Sequence, residues 1–204
     1  MVKKVNVTIT SDLMCPWCWV GLRKLQDAMT RFEGVVEIRW KPFQLMPGAP
    51  EQGVPKGGTP ASRVGARLAA AGKAVDINFT GLTDRTPNTT LFHATMEALH
   101  GETQTKFQEA CFEAYFTRGV FPDERGLLDA AATVGLEDVV AKILDDETAL
   151  AEHKRRAVDE ARAAARRGVT GVPFFEFNGV PAFSGAQDPS TFLHYLNKAA
   201  ATTP

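Results

Sequence analysis

Cysteine is scarce in this chain. Three occur in 204 residues, Cys15, Cys18 and Cys111, too few for a secreted scaffold stapled by disulfides. A tetrahedral zinc site needs four ligands, and the four histidines, His93, His100, His153 and His194, show no ligand spacing among themselves. An excess of either charge is missing as well. Lys and Arg number 23 against 24 Asp and Glu, for a net charge of -1, which leaves no surplus of basic residues for nucleic acid or an anionic membrane. No apolar run approaches the length of a membrane span. Lys3 and Lys4 are not followed by the apolar stretch of a signal peptide. Val5, Val7 and Ile9 instead alternate with Asn6, Thr8 and Thr10, the pattern of a strand. The expectation is a cytoplasmic protein with no nucleic-acid or membrane partner and an oligomeric state left open.

Two of the cysteines stand together in Cys15-Pro16-Trp17-Cys18. The strand-like run 4–11 precedes them. Trp19, Val20, Leu22, Leu25, Met29 and Phe32 then form an apolar stripe at helical spacing over 17–32. Gly34 ends that helix, and 35–41 alternates Val36, Ile38 and Trp40 with Glu37, Arg39 and Lys41 as a second strand closed by Pro42. The opening is β-α-β, with the cysteine pair where the strand meets the helix.

Pro and Gly crowd 47–60, which reads as a flexible connection; its Lys56-Gly57-Gly58-Thr59 lacks the spacing and the leading strand of a phosphate loop. From 61 to 168 apolar stripes at helical spacing recur with short breaks, the pattern of a small helical bundle. Strand signals return at 173–177 and 180–183 around Asn178-Gly179, which favours a type I′ hairpin. Asp188-Pro189 starts a last helix, with Asp188 at the N-cap. The expected fold is α/β, a thioredoxin fold split by an all-helical insertion. Segments 1–45 and 169–204 form the thioredoxin-like domain, 60–168 the insertion, and 46–59 the link.

A helix beginning at Cys15 turns its unpaired N–H groups toward that sulfur and favours the thiolate. Cys15 is then the attacking nucleophile, sulfur outward. Cys18, one turn further and more buried, resolves the mixed disulfide. Pro16 suits the first helical turn. Trp17 offers apolar surface to a substrate or packs into the core, and both readings stand. Cys111, on an apolar helical stripe, reads as a buried inert thiol. Arg162, Arg166 and Arg167 read as a solvated helix end, or as a lure for an anionic substrate such as glutathione. Pro173, entering a hairpin strand, cannot donate a sheet hydrogen bond.

The segments Ser11-Asp12-Leu13-Met14-Cys15-Pro16-Trp17-Cys18, Thr86-Pro87-Asn88-Thr89, Thr170-Gly171-Val172-Pro173-Phe174-Phe175 and Phe183-Ser184-Gly185-Ala186-Gln187 together resemble the DsbA-like oxidoreductases of the FrnE type, over nearly the whole chain. The resemblance implies a cis peptide before Pro173, packed against the cysteine pair. It implies that the Val172 backbone pairs with substrate, and that the helical insertion caps the site. Asn88 and Gln187 belong to the shared motifs, and Asn88 is expected to cap the following helix. One departure is Ile9, where thioredoxin and DsbA place a buried carboxylate that serves the resolving thiol. Asp12 stands nearer, as its substitute or as a strand-end cap.

The catalytic set read from this is Cys15, Cys18 and Pro173, with Pro16, Trp17 and Val172 at the substrate and no metal or added cofactor. The redox group is the Cys15–Cys18 pair, acting on protein or small-molecule disulfides, with glutathione as a candidate co-substrate. Two alternatives remain open. One is a glutathione-dependent isomerase or transferase of the 2-hydroxychromene-2-carboxylate isomerase or kappa class, which usually has serine where this chain has Cys15. The other is a binding module that holds a partner or zinc through its thiols.

Overall fold

The computed structural model describes residues 3–202. Strand β1 (Lys4–Ser11) runs through the cysteine turn into α1 (Pro16–Thr30) and back along β2 (Val35–Pro42). There follow β3 (Val54–Pro55), α2 (Pro60–Arg63), α3 (Ala66–Lys73) and β4 (Arg85–Thr86). The helices α4 (Thr90–Ala98), α5 (Gly101–Glu113), α6 (Glu124–Ala132), α7 (Glu137–Asp145) and α8 (Glu147–Arg166) come next, with a π-helical turn at Ala114–Arg118 after α5. Then β5 (Phe174–Phe177), β6 (Val180–Ser184) and α9 (Pro189–Ala201) complete the chain.

The main sheet has the order β2-β1-β5-β6. β1 and β2 are parallel, with Val5 opposite Val36 and Thr10 opposite Lys41, so α1 is the crossover such a pair requires. β5 lies antiparallel to β1, and β6 to β5. This is a thioredoxin fold with its halves separated by helices. The hairpin turn has φ of 49° at Asn178 and 77° at Gly179, the pair of positive values that a type I′ turn demands.

Register decides which side chains share a face. Val5, Val7 and Ile9 lie with Phe175 and Phe177 on one face, in a core completed by Leu22 and Leu25 of α1 and Phe192 and Leu196 of α9. The other face carries Thr8, Thr10 and Phe174. It is also closed, because Phe174 packs with Phe43, Ala164 of α8 and Val169, and Thr10 is buried. The main buried cluster continues without a break into α4, α5, α6 and α7. At that passage Trp19 of α1 stacks on Phe112 and Phe116 and meets Phe79 edge-on.

The insertion departs from the sequence reading in two places. Residues 74–89 are not helical. Asp76 and Gly81 take φ of 57° and 67°, which a right-handed helix excludes. The 47–60 connection is also tied down. Val54 and Pro55 pair antiparallel with Thr86 and Arg85, and the Arg85 guanidinium donates to the carbonyls of Gln52 and Gly53.

Candidate active site

β1 ends at Ser11, and the turn through Asp12, Leu13 and Met14 closes when the Cys15 N–H donates to the Asp12 carbonyl at 3.1 Å. Cys15 is the N-cap of α1 with φ -95° and ψ 105°, and Pro16 enters the first turn. No side chain caps this end, so the free N–H dipoles of the first turn face Cys15. Across the site, the Cys15 thiol donates to the Val172 carbonyl at 3.3 Å. The Val172-Pro173 peptide is cis, and Pro173 is buried. Gly21, one turn past Cys18, allows that approach. A Cβ there would stand 3.1 Å from Pro173 Cγ and 3.2 Å from the Phe175 ring.

The two thiols sit in opposite electrostatic settings. Cys15 is held below the usual thiol range, chiefly by its hydrogen bond with the Cys18 side chain. Burial works against this, and the N–H groups of Cys18 and Trp17 work for it. The carboxylate of Asp12 pushes the other way. Cys18 is wholly buried, and that burial pushes its thiol well up, with Cys15 adding to the effect. Cys15 is itself only 6 % exposed. Its sulfur is tucked under the Val172 carbonyl rather than pointing outward as the sequence reading has it.

The model of the DSBA-like thioredoxin domain matches residues 6–197. The chain belongs to the DSBA-like thioredoxin domain family. Its relatives include the uncharacterized protein YwbO of Bacillus subtilis, 27% identical over 179 residues, which are 84% of this chain and 86% of that one. Among solved structures it is similar to a probable DsbA oxidoreductase of Streptomyces coelicolor. The TM-score is 0.77 at 27% identity, covering 98% of this chain and 92% of the other. The fold is also shared with the cytosolic disulfide reductase DsbM of Pseudomonas aeruginosa, with a TM-score of 0.62 at 20% identity over 96% of each chain.

In this DSBA-like chain Ile9 is buried in the core, and Asp12 is a buried acid near the pair. Asp12 is fully buried. Its Oδ2 accepts from the Leu45 N–H at 2.7 Å, and its Oδ1 stands 3.4 Å from His93 Nε2. His93 Nε2 also reaches the Phe43 carbonyl at 2.9 Å. Asp12 thus ties the end of β1 to the loop after β2 and to α4. Sequence reading missed His93 and Gly21. A histidine among apolar helix residues and a glycine inside a helix gave no sign of what they would face.

The remaining candidates divide. Pro16 and Trp17 are half-buried, Trp17 against the main core and with Arg67 over its ring at 5.2 Å. Val172 is half-buried beside Phe43 and Phe174. Cys111 lies in the core on α5, and burial pushes its thiol well up. Arg162, Arg166 and Arg167 are exposed on and just beyond α8. Asn88 Oδ1 accepts from the Thr90 N–H, while Thr89 holds the N-cap position of α4. Asp188 holds the N-cap position of α9 without capping it; its carboxylate pairs with Lys24 at 3.2 Å instead. Among the described residues, no group of three His, Cys, Asp or Glu side chains is placed to hold a metal ion.

Proposed function

We propose that this protein is a thiol–disulfide oxidoreductase of cytoplasmic setting in which Cys15 attacks a substrate disulfide and Cys18 releases it. The observation that carries the reading is the asymmetry of the pair. One thiol sits at an uncapped helix end with its thiolate favoured, and the other is wholly buried with its thiol pushed well up. Attack requires a thiolate, and resolution requires a second sulfur within reach that does not compete for the first encounter. The Val172 carbonyl, which accepts from the Cys15 thiol, is set to pair with the backbone of a bound substrate. Pro173 follows it in the cis peptide, and Trp17 is proposed as apolar surface for the substrate. The redox group is the protein's own cysteine pair, with no added cofactor.

A pocket of about 360 Å³ opens beside Pro16 and Met14, lined by Phe79, Phe116, Lys56 and Arg63 among others. Two cations and an apolar wall beside the residues that flank Cys15 in sequence suit a small anionic disulfide. Glutathione is the candidate, and the DsbM structure similar in fold was solved with GSH. The alternative as an isomerase or transferase loses ground to Cys18, which such a reaction does not need.

The test is reduction of a model protein disulfide, and of oxidised glutathione, with dithiothreitol as electron donor. Cys15→Ser should abolish both. Cys18→Ser, which keeps a hydrogen-bond donor beside the Cys15 sulfur, should accumulate a covalent mixed disulfide on Cys15 when mixed with the protein disulfide without dithiothreitol. Full activity in Cys15→Ser, or a substrate adduct on Cys18 instead, contradicts the assignment.

A further inference from the structure

Resolution requires Cys18 to lose its proton inside the protein. The sheet position where a carboxylate would take it carries Ile9, and Asp12 is engaged by Leu45 and His93. We propose that the Ser11 hydroxyl is the proton relay for Cys18, passing the proton to a single water held in the small cavity between Ser11, Gln108 and Glu97. This rests on the exchange reading above.

Ser11 is the last residue of β1 and is 2 % exposed. Its hydroxyl works electrostatically in favour of the Cys18 thiolate. It has no hydrogen-bond partner among the described residues, so the O–H is free to turn. Behind it is a cavity of about 10 Å³, lined by Ser11, Trp40, His93, Glu97, Gln104 and Gln108 among others. That is about the space one water needs. Gln108 is 1 % exposed, and its Nε2 also lacks a partner among the described residues. Two buried, unpartnered polar atoms on one water-sized cavity are what an internal water satisfies. Such a water accepts from Gln108 Nε2 and from Ser11, and keeps both of its own protons to donate. Trp40, Glu97 and Gln104 line this cavity and also an open surface groove of about 880 Å³. Glu97, 28% exposed and 3.3 Å from Arg156, stands at the exit.

The step balances without a further reactant. With substrate held as a mixed disulfide on Cys15, the Cys18 S–H bond breaks and its proton passes to the Ser11 oxygen. The Ser11 proton moves to the water, and a water proton moves by way of Glu97 to solvent. The Cys18 thiolate bonds to Cys15 Sγ, the bond from Cys15 to the substrate sulfur breaks, and the substrate leaves as a thiolate. The substrate disulfide gains two electrons, and the cysteine pair becomes a disulfide.

The experiment is stopped-flow reaction of the reduced full chain with 5,5′-dithiobis(2-nitrobenzoate). A first release of coloured thiolate reports Cys15 attack, and a second reports resolution by Cys18. In Ser11→Ala the first phase should be unchanged and the second slowed on the order of tenfold, less than the hundredfold that a titrating base typically supplies. Ser11→Thr, which keeps the hydroxyl, should restore it. Gln108→Leu, which removes the water's donor, should slow the second phase alone by a smaller factor. An Ser11→Ala second phase as fast as that of the native chain overturns the relay. So does an equal slowing of both phases, which marks a structural effect. Absence of a second phase in the native chain overturns the exchange reading itself, and the relay falls with it.

Discussion

Asp12 is a buried carboxylate whose charge opposes the Cys15 thiolate. The helix end and the Cys18 contact win that contest, since the Cys15 thiol is held low despite it. Removing the charge should therefore move the balance further. Asp12→Asn retains an oxygen to accept from the Leu45 N–H. It should shift the pH profile of Cys15 alkylation to lower pH and make the pair more oxidising, because a stabilised thiolate favours the reduced form. Equilibration with a glutathione buffer checks the potential. A shift toward a more reducing value would mean that Asp12 acts on Cys15 through structure and not through charge. Gly21 makes the complementary point in packing. Gly21→Val would drive a side chain into Pro173 and Phe175, both of which meet a Cβ at little more than 3 Å. A loss of about 1–3 kcal/mol in a urea titration is expected from such overpacking, together with slower Cys15 attack as the Val172 carbonyl is displaced.

At the scale of elements, what was readable in the sequence was what is local. β1, α1 and β2 follow from alternation at 5, 7 and 9, a stripe from Trp19 to Met29, and alternation again. Asn178-Gly179 announces its turn because few residues accept positive φ. Replacing Gly179 with Ala keeps ample space around the new methyl and leaves only the backbone cost of φ 77°. A destabilisation of about 1 kcal/mol is expected by chemical denaturation. What was not readable depends on contacts made across the chain. Val54-Pro55 and Arg85-Thr86 are strands only because they find each other, and neither has a period long enough to signal itself. The same holds for the site. The cysteine pair and its helix end were legible as a motif. The place of Pro173 beside the cysteine pair is legible only through resemblance, and the Asp12–His93 contact joins residues from different elements.

Across the whole molecule, the helices between β2 and β5 share one continuous buried cluster with the sheet. Trp19 is the joint, since it directly follows Cys18 and stacks on Phe112 and Phe116 of the insertion. Cooperative unfolding in a single transition follows from a shared core. Far-ultraviolet circular dichroism and tryptophan fluorescence should report the same midpoint. Phe112→Ala, emptying a fully buried position, should lower stability by about 3–5 kcal/mol while the two probes still coincide. Two separated transitions would mean that the insertion holds itself together and that the Trp19 contact is incidental.

One of three thiols is selected for attack by its contact with Cys18 and its place at the start of α1. Alkylation of the reduced protein with iodoacetamide across a range of pH, read by peptide mass at each cysteine, tests it most directly. Cys15 should react first, with a rate that falls off only as pH drops through a value below the ordinary thiol range, because the thiolate persists until then. Cys18 and Cys111, both pushed up by burial, should stay unmodified under the same conditions. Equal or faster labelling of Cys18, or a Cys15 profile that rises only at or above the ordinary thiol range, would contradict it.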